Sequence, residues 1–220
     1  MRSNKGLFHI ILFFIIGAST ASAVHSQSTG EKYRYEIFAG YSHNRIDTTL
    51  DSDDFDEEFD DEVGGRLGAH GVNLSVTGNV TKYIGLKFDY AYHVKKESGV
   101  VDGFDLEAKY TNNTFMGGVQ IKNNAEDGPR FKPFFHALAG VARQEVGLTD
   151  FDVNDFQFTQ NNFTMAVGGG VDVKLTRHID VRVFQIDYNP VFVKDFTIEG
   201  FDINGRTQNN VRFGFGIVIH

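Results

Sequence analysis

Ile84-Gly85-Leu86-Lys87-Phe88-Asp89-Tyr90-Ala91-Tyr92-His93-Val94 is the stretch whose reading decides the fold. Its apolar residues, Ile84, Leu86, Phe88, Tyr90, Tyr92 and Val94, occupy every second position, with Gly85, Lys87, Asp89, Ala91 and His93 between them. A period of two is the repeat of a β-strand, whose side chains point alternately to the two faces of a sheet; a helix would scatter these residues around its whole circumference. One face is therefore greasy and aromatic, and the other mixes charges with small residues.

The same pattern recurs on both sides of this run. Tyr35, Ile37, Ala39 and Tyr41 alternate with Glu36, Phe38, Gly40 and Ser42, and Val72, Leu74 and Val76 alternate with Asn73, Ser75 and Thr77. Further on, Phe115, Gly117, Val119 and Ile121 oppose Thr114, Met116, Gly118 and Gln120, while Phe163, Met165, Val167, Val171 and Val173 oppose Thr164, Ala166, Asp172 and Lys174. Phe134–Arg143 is apolar in both registers, and His136 assigns Phe135, Ala137, Ala139 and Val141 to the outer face. Ile179, Val181 and Val183 oppose Asp180 and Arg182, then the phase slips near Phe184 so that Gln185 and Asp187 turn inward, as a β-bulge would make them. The last run sets Val211, Phe213, Phe215, Ile217 and Ile219 against Arg212, Gly214 and Gly216.

Between the runs, long and short connections alternate. The long ones cover about 43–68, 95–110, 144–161 and 189–208; the short ones are 78–83, 123–131 and 175–178, with Asn123-Asn124 and Gly128-Pro129 giving the middle one turn chemistry. No helical period longer than about two turns interrupts them. The expected fold is all-β: an eight-stranded antiparallel up-and-down barrel with its long loops at one end and both termini at the other.

The N-terminus places this barrel in an exported chain. Arg2 and Lys5 precede the apolar run Leu7–Ile16, and Ala21-Ser22-Ala23 supplies a small-x-small cleavage signature, so residues 1–23 read as a signal peptide cleaved near Ala23, 24–32 as a short linker and 33–220 as the barrel domain. The apolar run is shorter than the roughly 20 residues of a spanning helix. Without cysteine, neither a disulfide framework nor a thiolate metal site is available. Removing the leader's two basic residues from 21 Lys+Arg leaves 19 against 29 Asp+Glu, a net charge near −10, which disfavours nucleic acid as a partner. A mean hydropathy of −0.25 suits a soluble protein and a barrel with a polar lumen equally.

The polar face decides between those two. It carries Glu36, Lys87, Asp89, Asp172, Lys174, Arg182 and Arg212 interleaved with Gly, Ser, Thr and Ala, a set that suits a narrow, crowded lumen better than a solvated surface. The opposite face, with Tyr35, Tyr41, Tyr83, Tyr90 and Tyr92 towards strand ends, suits lipid bounded by aromatic girdles. The short turns then lie in the periplasm and the long loops outside the cell.

Phe38-Ala39-Gly40-Tyr41, the unit Val72–Tyr92 with its Tyr83-Ile84-Gly85-Leu86 reversal, Phe134-Phe135-His136-Ala137-Leu138-Ala139-Gly140 and Val211-Arg212-Phe213-Gly214-Phe215-Gly216-Ile217 occur in an order that resembles the OmpA-like outer-membrane β-barrel domain family, over roughly residues 31–220. The resemblance implies an outer-membrane location, with membrane lipid and lipopolysaccharide as surroundings, and no cofactor. Members include structural proteins, adhesins and evasion factors, so the fold alone does not fix a role. They typically end on an aromatic residue that the assembly machinery recognises, where this chain carries Ile219-His220.

Candidate chemistry is sparse. Asp47–Glu62 holds ten carboxylates in the first long loop, either a divalent-cation site or a solvated acidic stretch; it lacks the glycine spacing of an EF-hand. Calcium binding that is lost on mutating Asp53, Asp54 and Asp56 would mark the former. Gly168-Gly169-Gly170 precedes no helix and no Lys-Ser/Thr, so it is structural and not a phosphate loop. His93, His136 and His178 lack partners at metal or triad spacing. No catalytic, cofactor or metal residue is therefore assigned. The lumen charges Lys87, Asp89, Asp172, Lys174, Arg182 and Arg212 either line a conducting path or pair to plug it, and a lumen of this width favours the plug.

The expected function is a non-enzymatic outer-membrane barrel with a structural or surface-contact role through its loops. The alternatives are a soluble periplasmic barrel carrying a small apolar ligand, which needs the greasy face inside, and a lipid-modifying barrel with Ser and His converging on a lipid-facing edge. Cell fractionation separates membrane from soluble: detergent partition with heat-modifiable gel migration is expected, and release by osmotic shock would contradict it.

Overall fold

The structure, a computed structural model, describes residues 31–47, 66–101, 104–150, 156–194, 196–198, 201–203 and 205–220. The expected signal peptide and most of the 24–32 linker lie outside them, as does nearly all of the acidic loop. Eight long strands close into one antiparallel barrel: β1 (Tyr35–Asp47), β2 (Arg66–Asn79), β3 (Ile84–Val101), β4 (Phe104–Lys122), β5 (Phe131–Asp150), β6 (Phe156–Lys174), β7 (Ile179–Phe192) and β10 (Thr207–Ile219). Two short strands, β8 (Phe196–Ile198) and β9 (Phe201–Ile203), form a separate hairpin between β7 and β10. Each long strand pairs with its neighbours in sequence, and β1 pairs with β10 from Ile37↔Ile219 to Arg45↔Val211, so the sheet has no free edge.

Burial shows which way the sheet faces. Adjacent in sequence, Phe134 is 1% exposed and Phe135 is 70% exposed. Ile37, Leu86, Phe88, Val119, Ile121, Val167, Phe215 and Ile217 all stand on the outside, whereas Glu36, Lys87, Asp89, Gln120, Asp187 and Arg212 are buried inside. This is the inverse of a soluble barrel, and it overturns the apolar-ligand carrier, whose interior would have to be the greasy face. On β3 the outward apolar residues run from Ile84 to Val94. At about 3.4 Å per residue and a tilt near 40° they span about 26 Å along the barrel axis, the height of a bilayer's apolar band. Tyr35 and Tyr83 mark its inner edge. Tyr90 sits within the band, its hydroxyl donating to Asn113 Oδ1 at 3.0 Å.

The turns at the inner end follow local chemistry. Thr81-Lys82-Tyr83-Ile84 and Thr176-Arg177-His178-Ile179 use one device: the threonine Oγ1 accepts from the backbone N–H groups two and three residues on, at 3.2 and 2.9 Å in the first and 3.3 and 3.1 Å in the second. In the middle turn Asn123 Oδ1 accepts from Ala125 N at 3.2 Å.

The expected slip in β7 is a bulge. Asp172 faces Arg182 while Val171 faces Phe184, so Val183 is the extra residue and both Val183 and Phe184 lie outside. The three glycines of β6 lie along β7 beside this bulge. A Cβ on Gly168 would fall 2.3 Å from Ile186 O, and one on Gly170 would fall 2.0 Å from Phe184 O, so close backbone approach requires glycine there.

At the outer end the structure corrects the loop lengths. β3 and β4 stay paired to Val101↔Phe104 and β5 and β6 to Leu148↔Phe156, so most of 95–110 and 144–161 is strand. Above the membrane both sheet faces meet water and alternation fades, although the backbone ladder continues.

Val167 pairs with Ala137 and Tyr188 on the lipid face. Val167→Arg is expected to destabilise the vesicle-inserted barrel by about 2–4 kcal/mol in urea titration; a change under about 0.5 kcal/mol, as on a solvated surface, would contradict this orientation.

Candidate functional site

The lumen concentrates the chemistry of this chain. At its inner mouth the segment before β1 crosses the opening as a strap. Tyr33 N donates to Asn124 O at 3.0 Å, Asn79 N to Arg34 O at 2.9 Å, Glu126 N to Glu31 O at 3.2 Å, and the Tyr33 hydroxyl to Arg177 O at 2.8 Å, so four residues tie all three inner turns together. Burial, and then the Asp180 carboxylate, hold the Tyr33 hydroxyl above its ordinary pKa, which keeps it a donor. The Tyr33 ring stacks on His220 at 3.9 Å, and Lys132 Nζ lies 4.8 Å above it. Asp180 Oδ2 then receives both Lys132 Nζ at 2.9 Å and His220 Nε2 at 2.8 Å.

The next layer joins four strands. Lys122 Nζ donates to Glu36 Oε2 and Asp172 Oδ2, each at 2.9 Å, and Arg182 grips Asp172 with Nε at 2.8 Å and Nη2 at 3.1 Å. The Arg182 guanidinium lies between two inward rings, 4.3 Å from the centroid of Phe38 and 4.0 Å from that of Phe134. Such stacking suits a weakly hydrated planar cation. Across the bulge, Arg182 Nη1 donates to Gln185 Oε1 at 2.8 Å, and Gln185 Nε2 to Asp187 Oδ2 at 2.6 Å, linking this layer to the one above.

Arg212 centres that upper layer. Its Nε and Nη2 donate to Asp187 Oδ2 at 2.9 and 2.7 Å, and its Nη1 donates to Asp89 Oδ1 at 2.8 Å from the other side. His136 Nε2 donates to Asp187 Oδ1 at 2.9 Å while its Nδ1 accepts from Lys87 Nζ at 3.2 Å, an arrangement that assigns the tautomer. Lys87 also lies 3.8 Å from Asp89 Oδ2, to which Asn73 Nδ2 donates at 3.0 Å.

Among the described residues the buried lumen holds five carboxylates, Glu36, Asp89, Asp172, Asp180 and Asp187, and five cations, Lys87, Lys122, Lys132, Arg182 and Arg212. The sum is zero, each carboxylate has a cationic partner, and the network runs across the interior. Higher up, Gln144 Nε2 donates to Tyr110 OH and to Gln208 Oε1, both at 2.8 Å, bracing β4, β5 and β10.

Of the charges expected in the lumen, Lys87, Asp89, Asp172, Arg182 and Arg212 belong to this plug. Lys174 does not: it is half-buried at the mouth, with Nζ donating to Glu126 O at 2.5 Å. Lys122 and Lys132 were missed, although extending the alternation of Gln120 by two positions, and that of Phe134 back by two, brings both inside. His136 has partners that no sequence spacing announced. His93 Nε2 pairs with Ser42 Oγ at 2.8 Å, but both are buried in the lumen and His93 Nδ1 has no hydrogen-bond partner. The pair therefore has neither a third carboxylate nor the lipid-facing edge that a lipid-modifying enzyme would need. His178 lies exposed in a turn. The acidic positions Asp53, Asp54 and Asp56 fall outside the described residues, among which no cluster of three His, Cys, Asp or Glu side chains is placed to hold a metal.

A closed eight-stranded barrel with an apolar exterior and a charged, packed lumen defines a membrane-spanning wall of the outer-membrane type. Residues 13–218 match the family described as outer membrane protein beta-barrel domain, and the chain belongs to that family. It is located in the outer membrane. No curated protein matches it. Among solved structures, Ail, the attachment invasion locus protein of Yersinia pestis, in complex with the heparin analogue sucrose octasulfate, aligns at 14% identity and TM-score 0.50, over 84% of this chain and 97% of that one. Neisserial surface protein A aligns at 12% identity and TM-score 0.49, over 86% and 98%. The outer membrane protease OmpT of Escherichia coli aligns at 10% identity and TM-score 0.45, over 89% and 99%. The first of these likenesses speaks for the fold.

Arg212→Met leaves Asp187 and Asp89 short of their shared cation and is expected to cost about 3–5 kcal/mol of unfolding free energy in vesicles. Adding Asp187→Asn restores charge balance and is expected to recover most of that loss; an additive double variant would contradict the coupling.

Proposed function

We propose that this chain is a non-conducting, non-enzymatic wall protein of the outer membrane that acts through its extracellular side, with outer-membrane lipid and lipopolysaccharide as the partners of its outer face. The observation that carries this reading is the charge-balanced plug, closed again below by the strap through Tyr33. An ion entering such a lumen must break buried ion pairs and is left without hydration, both costly steps.

The surface-contact role is supported by the unequal height of the strands. β3, β4, β5 and β6 contain 18, 19, 20 and 19 residues, against 13 or 14 in β1, β2, β7 and β10. Beyond Val94, β3 continues to Val101, so this side rises about 18 Å above the apolar band as a continuous sheet. A paired wall is a more rigid platform for contact than an unstructured loop. The non-enzymatic reading is supported by the burial of Ser42 and His93.

Recordings from planar bilayers are expected to show no stable open steps with the native chain, none with Tyr33→Gly alone, and steps only when Tyr33→Gly is combined with Arg212→Ala. Recurrent open steps in the native chain would contradict the closed lumen.

A further inference from the structure

We propose that His43 and His70, opposed on the outer face of β1 and β2, form a two-imidazole site for a divalent transition metal of the Zn²⁺ or Cu²⁺ kind. The inference goes beyond the wall reading and does not depend on the lumen being closed. The two residues are direct cross-strand partners. Ser42 and Asn44, on either side of His43, are buried in the lumen, as is Ala69 beside His70, so both imidazoles turn outward; His43 is half-buried and His70 exposed. The paired Tyr41 and Val72 lie next below them on this face, with Arg45 next above, which puts the pair at the outer rim of the apolar band.

The spacing of the rings fits one shared ion. Their centroids are 4.7 Å apart. A metal about 2.0–2.1 Å from an imidazole nitrogen stands about 3.2 Å from the ring centre, so two such rings at about 90–109° around it have centroids about 4.5–5.2 Å apart. The Tyr41 hydroxyl is hydrogen-bonded to His70 Nδ1. With Nδ1–H donating in that bond, the Nε2 lone pair is open to a metal and the ring is held in orientation. His43 Nδ1 is buried with no hydrogen-bond partner, so hydrogen bonding through that atom does not account for an imidazole here. Its other edge faces Gly68, where an added Cβ would lie 3.0 Å from Cε1 and 3.4 Å from Nε2; glycine leaves that edge uncovered.

The donor set selects the class of ion. Two imidazoles suit zinc, copper or nickel, whereas calcium and magnesium require oxygen donors. The flanking cross-strand partners, Phe213 beside His43 and Val94 beside His70, carry no charge, and Arg45 is the cation nearest in the alternation. Its repulsion is opposed by the sequence that joins β1 to β2: residues 48–65 carry nine carboxylates and no Lys or Arg, a charge that raises the local concentration of cations. With two protein ligands the remaining coordination positions go to water, so the bound metal is exchangeable and clamps β1 to β2 at the outer rim.

The refolded chain in detergent, prepared without a polyhistidine tag, tests this by calorimetric titration with Zn²⁺ and by electron paramagnetic resonance of bound Cu²⁺. The native chain is expected to take up one Zn²⁺ at micromolar concentration, to keep it in millimolar Ca²⁺, and to show two nitrogens on Cu²⁺. His43→Gln and His70→Gln are each expected to weaken Zn²⁺ binding about tenfold or more, while His178→Gln, in the inner turn, binds as the native chain does. No saturable binding by the native chain, displacement of the metal by Ca²⁺, or a Cu²⁺ spectrum with oxygen ligands alone overturns the site, and these need no variant to fold. Unchanged affinity in a His43→Gln/His70→Gln chain that retains heat-modifiable migration also overturns it, since the metal then sits elsewhere.

Discussion

Arg212, held between the carboxylates of Asp187 and Asp89, is the interaction on which the interior depends. The outside of this barrel is committed to lipid, so the inside cannot be apolar without making the strands greasy on both faces, and it is too narrow to be a water-filled pore. What remains is to fill it with charges whose desolvation is offset by pairing. The fixed guanidinium fork suits that task, because it engages two acceptors in defined directions from opposite sides of the lumen. Arg182 repeats the arrangement one layer down, with Phe38 and Phe134 covering its faces and Asp172 taking its edge.

The backbone is arranged around these pairs. The bulge at Val183 brings Arg182 and Gln185, three apart in sequence, onto the same inner face, which lets Arg182 reach Gln185 and Gln185 reach Asp187. A regular strand would send one of the two into lipid. The glycines of β6 let the β7 backbone approach closely beside the bulge, and Gly168 also leaves room for Asp187, whose Oδ1 would lie 2.2 Å from an added Cβ. Local irregularity is thus placed where the charge network needs it.

Alternation read from the sequence carried the strand number, the faces and the position of the bulge, because within the membrane each face meets a different medium and selects a different kind of residue. It failed above the bilayer, where Lys95–Val101 and Phe104–Lys109 continue as strand although water lies on both sides. The site was half legible. Charges within clear alternation, such as Lys87 and Arg212, read as inward, while Lys122 and Lys132 fall between the runs as read and the turn 123–131, at the inner ends of β4 and β5. Pairing was out of reach throughout: Arg212 and Asp89 are 123 residues apart, and His136 and Asp187 are 51 apart. Only closure of the barrel brings them together. The strap across the inner mouth left no pattern at all, since four residues of mixed character act mainly through their backbone.

The most direct test of a sealed, paired lumen is hydrogen exchange at the guanidinium Nε–H groups of Arg182 and Arg212, followed by nitrogen-resolved NMR on the refolded barrel. Both should give resolved, slowly exchanging signals, distinct from those of exposed Arg177 in the turn between β6 and β7. Exchange of Arg182 and Arg212 as fast as that of Arg177 would mean that water reaches the pairs, and the account of a closed wall would fail.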